Sequence, residues 1–166
     1  MNIRLLTGAV ITALLSLGSA SEASANGFKY WQLPAPIQGP WQVTITPFTC
    51  DTGEVHTASA VLLLMTFNAG GTLAEANSAS RFAAGQRSGG LGYWERTGWN
   101  SYNAHVQAFI EFDAGPYVRG QQSIDQSIEM QDANHWTGTG PVTFRNAAGD
   151  QVPPSGCAQT VAVRMP

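Results

Sequence analysis

Charge is what this sequence has least of. Its 166 residues include 8 Lys or Arg and 11 Asp or Glu, or 11% charged, against roughly 25% in an ordinary soluble domain. Lysine occurs once, at Lys29, and the formal net charge is only -3. No basic surface is available to neutralise a run of phosphates, so no nucleic-acid partner is expected. Charge-rich disorder is excluded too, because 43% of the residues are apolar and 10% aromatic, enough to bury a core. Cysteine is scarce, at Cys50 and Cys157. His56, His105 and His135 keep no metal-ligand spacing, so neither a metal nor a cofactor is expected. A Gly-x-Ser-x-Gly elbow and a phosphate loop are both absent. Asp51-Thr52-Gly53 spells an aspartic-protease triplet, but a single copy without flanking apolar strands reads as turn chemistry.

What is present begins with an address. Residues 1–25 have the pattern of a secretory signal: Arg4, an uncharged apolar run from Leu5 to Leu17, and the small residues Ala23-Ser24-Ala25 at a cleavage position. The run is shorter than the roughly 20 residues a membrane span needs, so no transmembrane anchor is expected. Export, to a periplasm or to the medium, makes a Cys50–Cys157 disulfide the expected state of the thiols. Closing a loop of about 100 residues is worth roughly 4–5 kcal/mol in the chain-entropy model. Residues 26–40 form an N-terminal arm, extended because Pro34, Pro36 and Pro40 forbid a helix. Its aromatics Phe28, Tyr30 and Trp31 suit either packing on the domain or docking a partner.

Residues 41–166 read as one all-β domain. Apolar residues recur with period two between turn signals. Strands are expected at Trp41–Thr46, Ala60–Phe67, Gly71–Asn77, Gly90–Thr97, Tyr102–Phe112, Arg119–Gln131, Trp136–Phe144 and Cys157–Met165. Asn68-Ala69-Gly70-Gly71, Asp113-Ala114-Gly115-Pro116 and Asn146-Ala147-Ala148-Gly149-Asp150 are the clearest turns. The stretch Ser78–Gly89, with Arg81, Phe82 and Arg87, has no clear period. Eight strands in meander order either leave exposed edges or close into a barrel.

The chain ends argue for closure. Setting Cys50 opposite Cys157 and Trp41 opposite Arg164 demands two antiparallel registers only two residues apart, and Pro47 offers a place for a bulge between them. Gly39-Pro40-Trp41 at the start of the first strand resembles the Gly-x-Trp motif of lipocalin-like (calycin) barrels. The resemblance implies that Trp41 sits at a closed base, covered by an arginine from the last strand, here Arg164. A guanidinium stacks well on an indole face. It further implies an eight-stranded antiparallel meander closed into a barrel, like divergent bacterial exported proteins of no assigned activity. Neither the C-terminal helix nor the central-loop motif of typical lipocalins is expected from these residues.

Such a barrel is either filled by side chains or holds one small ligand. The even residues of strand six and, by hairpin pairing with Ala108 opposite Ile124, the even residues of strand five face inward. The candidate cavity residues are therefore Tyr102, Val106, Ile110, Gln122, Ile124, Gln126, Met130 and Trp136, with Gln122 and Gln126 able to orient a ligand. Strand four has two registers: Trp94 with Arg96 inward, favouring an anionic ligand, or Tyr93 with Glu95 inward, favouring a cation or catalysis. The expected function is binding of a small apolar or amphipathic molecule. The alternatives are a cavity enzyme of cyclase or isomerase type using Tyr102, Glu95 or Arg96, and a filled-barrel structural or interaction protein.

Overall fold

The computed structural model describes residues 35–78, 83, 85–111 and 118–166. The proposed signal, most of the arm, Phe112 and the Asp113–Pro116 turn lie outside them. Eight strands follow in order: β1 (Gly39–Phe48), β2 (Val61–Phe67), β3 (Thr72–Asn77), β4 (Gly90–Arg96), β5 (Ser101–Ile110), β6 (Gly120–Met130), β7 (His135–Arg145) and β8 (Gln151–Arg164). Each pairs with its neighbour in sequence, and β1 pairs with β8, so the antiparallel sheet closes into a barrel. Closure leaves no sheet edge unpaired.

The seam between β1 and β8 runs from Trp41 opposite Arg164 to Phe48 opposite Cys157 without a break. The bulge expected at Pro47 is therefore absent: Cys50 lies in the turn beyond β1, where the chain no longer keeps the ladder register. It bonds Cys157 at a Cα–Cα distance of 5.2 Å across 107 residues of sequence. The irregularity falls elsewhere. The β7–β8 register shifts between Val142 and Phe144, where β8 carries Pro153 and Pro154. Strand β8 begins at Gln151, six residues before the expected start, because a bulge lets it absorb those prolines.

Alternation sets the inner face as read from the sequence. Tyr102, Ala104, Val106, Ala108 and Ile110 of β5 are buried, as are Ile124, Gln126, Ile128 and Met130 of β6. The β5–β6 register differs by two residues, Ala108 facing Gln122 rather than Ile124; an even shift leaves every side chain on its expected face. On β4, Trp94 is 8% exposed and Tyr93 60%, so the Trp94 and Arg96 register is the one adopted. Two glycines are required by close approach. A Cβ at Gly92 would lie 1.8 Å from the His105 carbonyl oxygen, and one at Gly140 would lie 1.9 Å from that of Asp125.

The two ends of the barrel are filled differently. At the Trp41 end, the Trp136 ring meets Trp41 and Phe67 edge-on at centroid distances of 6.1 and 6.0 Å, and Trp94 meets Phe67 and Tyr102 at 6.2 and 5.8 Å. Such T-shaped contacts let large rings pack closely against one another. Trp41 is fully buried, and its indole N–H donates to the Ile37 carbonyl at 2.7 Å. The Arg164 guanidinium lies 4.1 Å over the Trp41 ring. Its N–H groups donate to the carbonyls of Gln38 and Ala133, both at 2.9 Å, and of Pro36. Stacking, charge and three hydrogen bonds together close this base.

Candidate cavity at the disulfide end

The opposite end is open. A cavity of about 840 Å³ enters the barrel beside the Cys50–Cys157 disulfide, a volume in the range of small-molecule sites. Its wall is built by the inward residues Ile45, Val61, Leu63, Ile124, Val142 and Phe144, while Gly156 and Ala158 of β8 add almost no volume. The rim carries polar groups, among them Thr49, Asp51 and His56. Thr49 and His56 are joined by a 3.0 Å hydrogen bond. The difference between the ends is one of side-chain size. Five large aromatics share the base, whereas this end has aliphatic and small residues with Phe48 and Phe144 at its margin.

A polar tier marks the floor. Arg87, from the segment before β4, enters the barrel and donates through one terminal nitrogen to Glu75 of β3 at 2.5 Å. Its Nε donates to Gln122 Oε1 of β6 at 2.7 Å. The two charged side chains are 1% and 0% exposed. Below them the interior narrows to a void of about 10 Å³ beside Gln126, Trp136 and Thr160. There the Thr160 hydroxyl donates to Gln126 Oε1 at 2.7 Å. Glu75 Oε2 and Gln126 Nε2 here, like the Tyr102 hydroxyl and the Trp136 indole N–H among the base aromatics, have no hydrogen-bond partner among the described residues.

The structure brings two of the sequence-derived cavity residues, Gln122 and Ile124, to the open cavity. Val106, Gln126 and Trp136 border the small void below the floor. Tyr102 and Met130 are buried at the packed base end, and Ile110 is buried at the last position of β5. Burial pushes the Tyr102 hydroxyl above its ordinary pKa, opposed by the charge of Arg96. Arg96 itself is committed to the base end. It donates to the carbonyls of Gly98 at 3.0 Å and Trp99 at 2.6 Å, and lies against the rings of Trp99 and Tyr102. Glu95 is exposed on the outer face. Tyr102, Glu95 and Arg96 thus do not converge on the cavity.

The cavity residues not anticipated from sequence include the wall residues Ile45, Val61 and Leu63 and the charged pair Glu75 and Arg87. One signal was available for Glu75: it shares the parity of buried Leu73 on β3, and an inward carboxylate requires an inward cation. Nothing in the aperiodic Ser78–Gly89 stretch distinguishes Arg87 from Arg81.

Among the described residues the other ionisable contacts, His105 with Asp125 and His135 with Asp132, lie away from the cavity. His105 Nδ1 contacts Asp125 at 2.7 Å and its ring stacks on Tyr93, but all three lie on the convex outer face. Among the described residues no cluster of three His, Cys, Asp or Glu side chains is placed to hold a metal ion. The molecule is a closed eight-stranded antiparallel barrel, consistent with a calycin-like fold, with one packed and one open end. Comparison with protein-family models, with curated proteins and with solved structures gave no match.

Proposed function

We propose that this protein binds a small, largely apolar molecule in the cavity at its disulfide end and does so outside the cytoplasm. The single observation carrying the reading is an aliphatic cavity of about 840 Å³ in a barrel whose other half is densely packed. Burying apolar ligand surface there supplies roughly 25 cal/mol per Å² removed from water, reduced by the cost of immobilising the ligand. The compartment is supported by the Cys50–Cys157 bond, which persists in oxidising surroundings, and by the signal-like residues 1–25. A lipocalin-like assignment within the calycin-like fold rests on Gly39-Pro40-Trp41 and on Arg164 stacked over Trp41.

The neutral apolar dye N-phenyl-1-naphthylamine tests the reading. It is expected to brighten on saturable one-to-one binding. Val142→Trp, which places a large ring in the cavity wall at a half-buried position, is expected to weaken that binding at least tenfold with little change in melting temperature. Dye binding unaffected by Val142→Trp, or no binding to the native protein, overturns the proposal.

A further inference from the structure

We propose that the cavity selects a neutral ligand whose polar end is a hydrogen-bond acceptor, such as a ketone, ester or amide carbonyl, and discriminates against carboxylates. This inference rests on the binding function proposed above and adds the chemistry of the ligand's head.

Arg87 is the one Lys or Arg among the described residues bordering the cavity, and its charge is already matched by Glu75 at 2.5 Å. The pair is net neutral and almost fully buried. A carboxylate brought to this floor gains no free cation and loses its hydration, a penalty of several kcal/mol for an uncompensated ion. Asp51 at the rim adds negative charge to the entrance. An ammonium group fares no better at the floor: Glu75 Oε1 is engaged by Arg87, and Oε2, although it has no partner among the described residues, belongs to a side chain that is 0% exposed.

Other polar groups line the cavity, among them Thr49, His56, Ser59, Asn77 and Ser155, but Gln122 is the one whose amide Arg87 grips at the floor, and that contact fixes its orientation. A guanidinium Nε–H can only donate, so the Gln122 atom that faces it at 2.7 Å must be the oxygen. That leaves the NH2 group as what Gln122 offers. Gln122 is half-buried, lines the cavity, and its Nε2 makes no hydrogen bond to a described residue. The pair Glu75–Arg87 therefore acts as an anchor that holds a neutral donor at the floor of an aliphatic pocket. A donor that is pre-oriented and left without a partner favours an acceptor and gives nothing to a head that lacks one.

The test is competition against bound N-phenyl-1-naphthylamine, with native mass spectrometry for stoichiometry, using four probes of similar chain length. These are methyl heptyl ketone, octyl chloride, nonanoate and nonylammonium, applied to the full exported chain near neutral pH. The ketone is expected to bind roughly five- to tenfold tighter than the chloride, the worth of about one hydrogen bond, and tighter than either ion. Gln122→Glu keeps an acceptor for Arg87 and removes the NH2 donor; at mildly alkaline pH it should abolish the preference for ketone over chloride while the chloride still binds. Equal affinities for ketone and chloride in the native protein, or tightest binding by nonanoate or nonylammonium, would overturn the head-group assignment and leave apolar binding standing. Failure of the dye and of every probe to bind would overturn both.

Discussion

The least expected residues in this molecule are a glutamate and an arginine placed inside a barrel that has few charges to spend. Glu75 and Arg87 are held together at 2.5 Å with 0% and 1% side-chain exposure. Their attraction offsets a desolvation cost that neither could bear alone. The asymmetry between breaking such a pair and replacing it gives a sharp expectation. Arg87→Met leaves the Glu75 carboxylate buried and unpaired and should destabilise the protein by about 3–5 kcal/mol in urea unfolding at neutral pH. The double variant Arg87→Met with Glu75→Leu should recover most of that loss. Recovery of stability without recovery of the ketone preference would show that the pair serves the orientation of Gln122 more than the fold. These two residues also mark where sequence reading stopped. Period two places Glu75 inward beside Leu73, yet nothing local says which cation meets it. Arg87 reaches Glu75 from a segment with no period at all, and a contact of that kind is set by tertiary closure. Trp41 and Arg164 were legible for the opposite reason: they lie at the two ends of one ladder, whose register follows from pairing the first strand with the last.

At the scale of elements, what could be read was parity, and what could not was the exact pairing. An alternating strand declares which residues share a face, so the even-numbered residues from Tyr102 to Ile110 and from Ile124 to Met130 point inward whether Ala108 faces Ile124 or Gln122. The ends of strands are set by turns and bulges, which is why β8 starts at Gln151 and the irregularity sits opposite Val142 rather than at Pro47. The cavity depends on that detail, since the shifted segment of β8 contributes Ser155 and Gly156 to its wall. One turn carries a pH signature of its own. Between β6 and β7 the Asp132 carboxylate accepts the Asn134 backbone N–H at 2.6 Å and contacts His135 Nδ1 at 2.8 Å. The Asn134 N–H, chiefly, and then His135 hold its pKa below the ordinary 3.8. A depressed carboxylate pKa adds stability that is fully present above the unfolded value and is lost as pH falls through the folded one. Asp132→Asn should therefore lower the melting temperature slightly at neutral pH, and the two proteins should converge as the pH falls through the depressed folded value. A gap that persists in acid would assign the effect to the loop's shape rather than to its charge.

For the whole molecule, closure is the property on which the others depend, and it is secured unequally at the two ends. The β1–β8 seam is held at the base by Arg164, which ties β8 to the chain before β1 and covers Trp41. At the cavity end, beyond Phe48 and Cys157, the covalent bond from Cys50 does the same. The packed base can lose the disulfide and keep its aromatic cluster; the open end has no comparable core to hold its rim. Replacing both cysteines by serine should cost about 4 kcal/mol by the chain-entropy argument for a loop of this length. The distribution of the loss is the more telling measurement. Amide hydrogen exchange should accelerate at Phe48 and Ala158, next to the cavity, while the amides around Trp41 and Ala162 keep their protection until global unfolding. Ligand affinity should fall with the local opening, because a rim that samples open states reduces the binding-competent fraction. Uniform acceleration along the whole seam would instead mean that β1 and β8 part as one unit. In that case the disulfide stabilises the barrel globally and the cavity has no separate mobility for a ligand to quench.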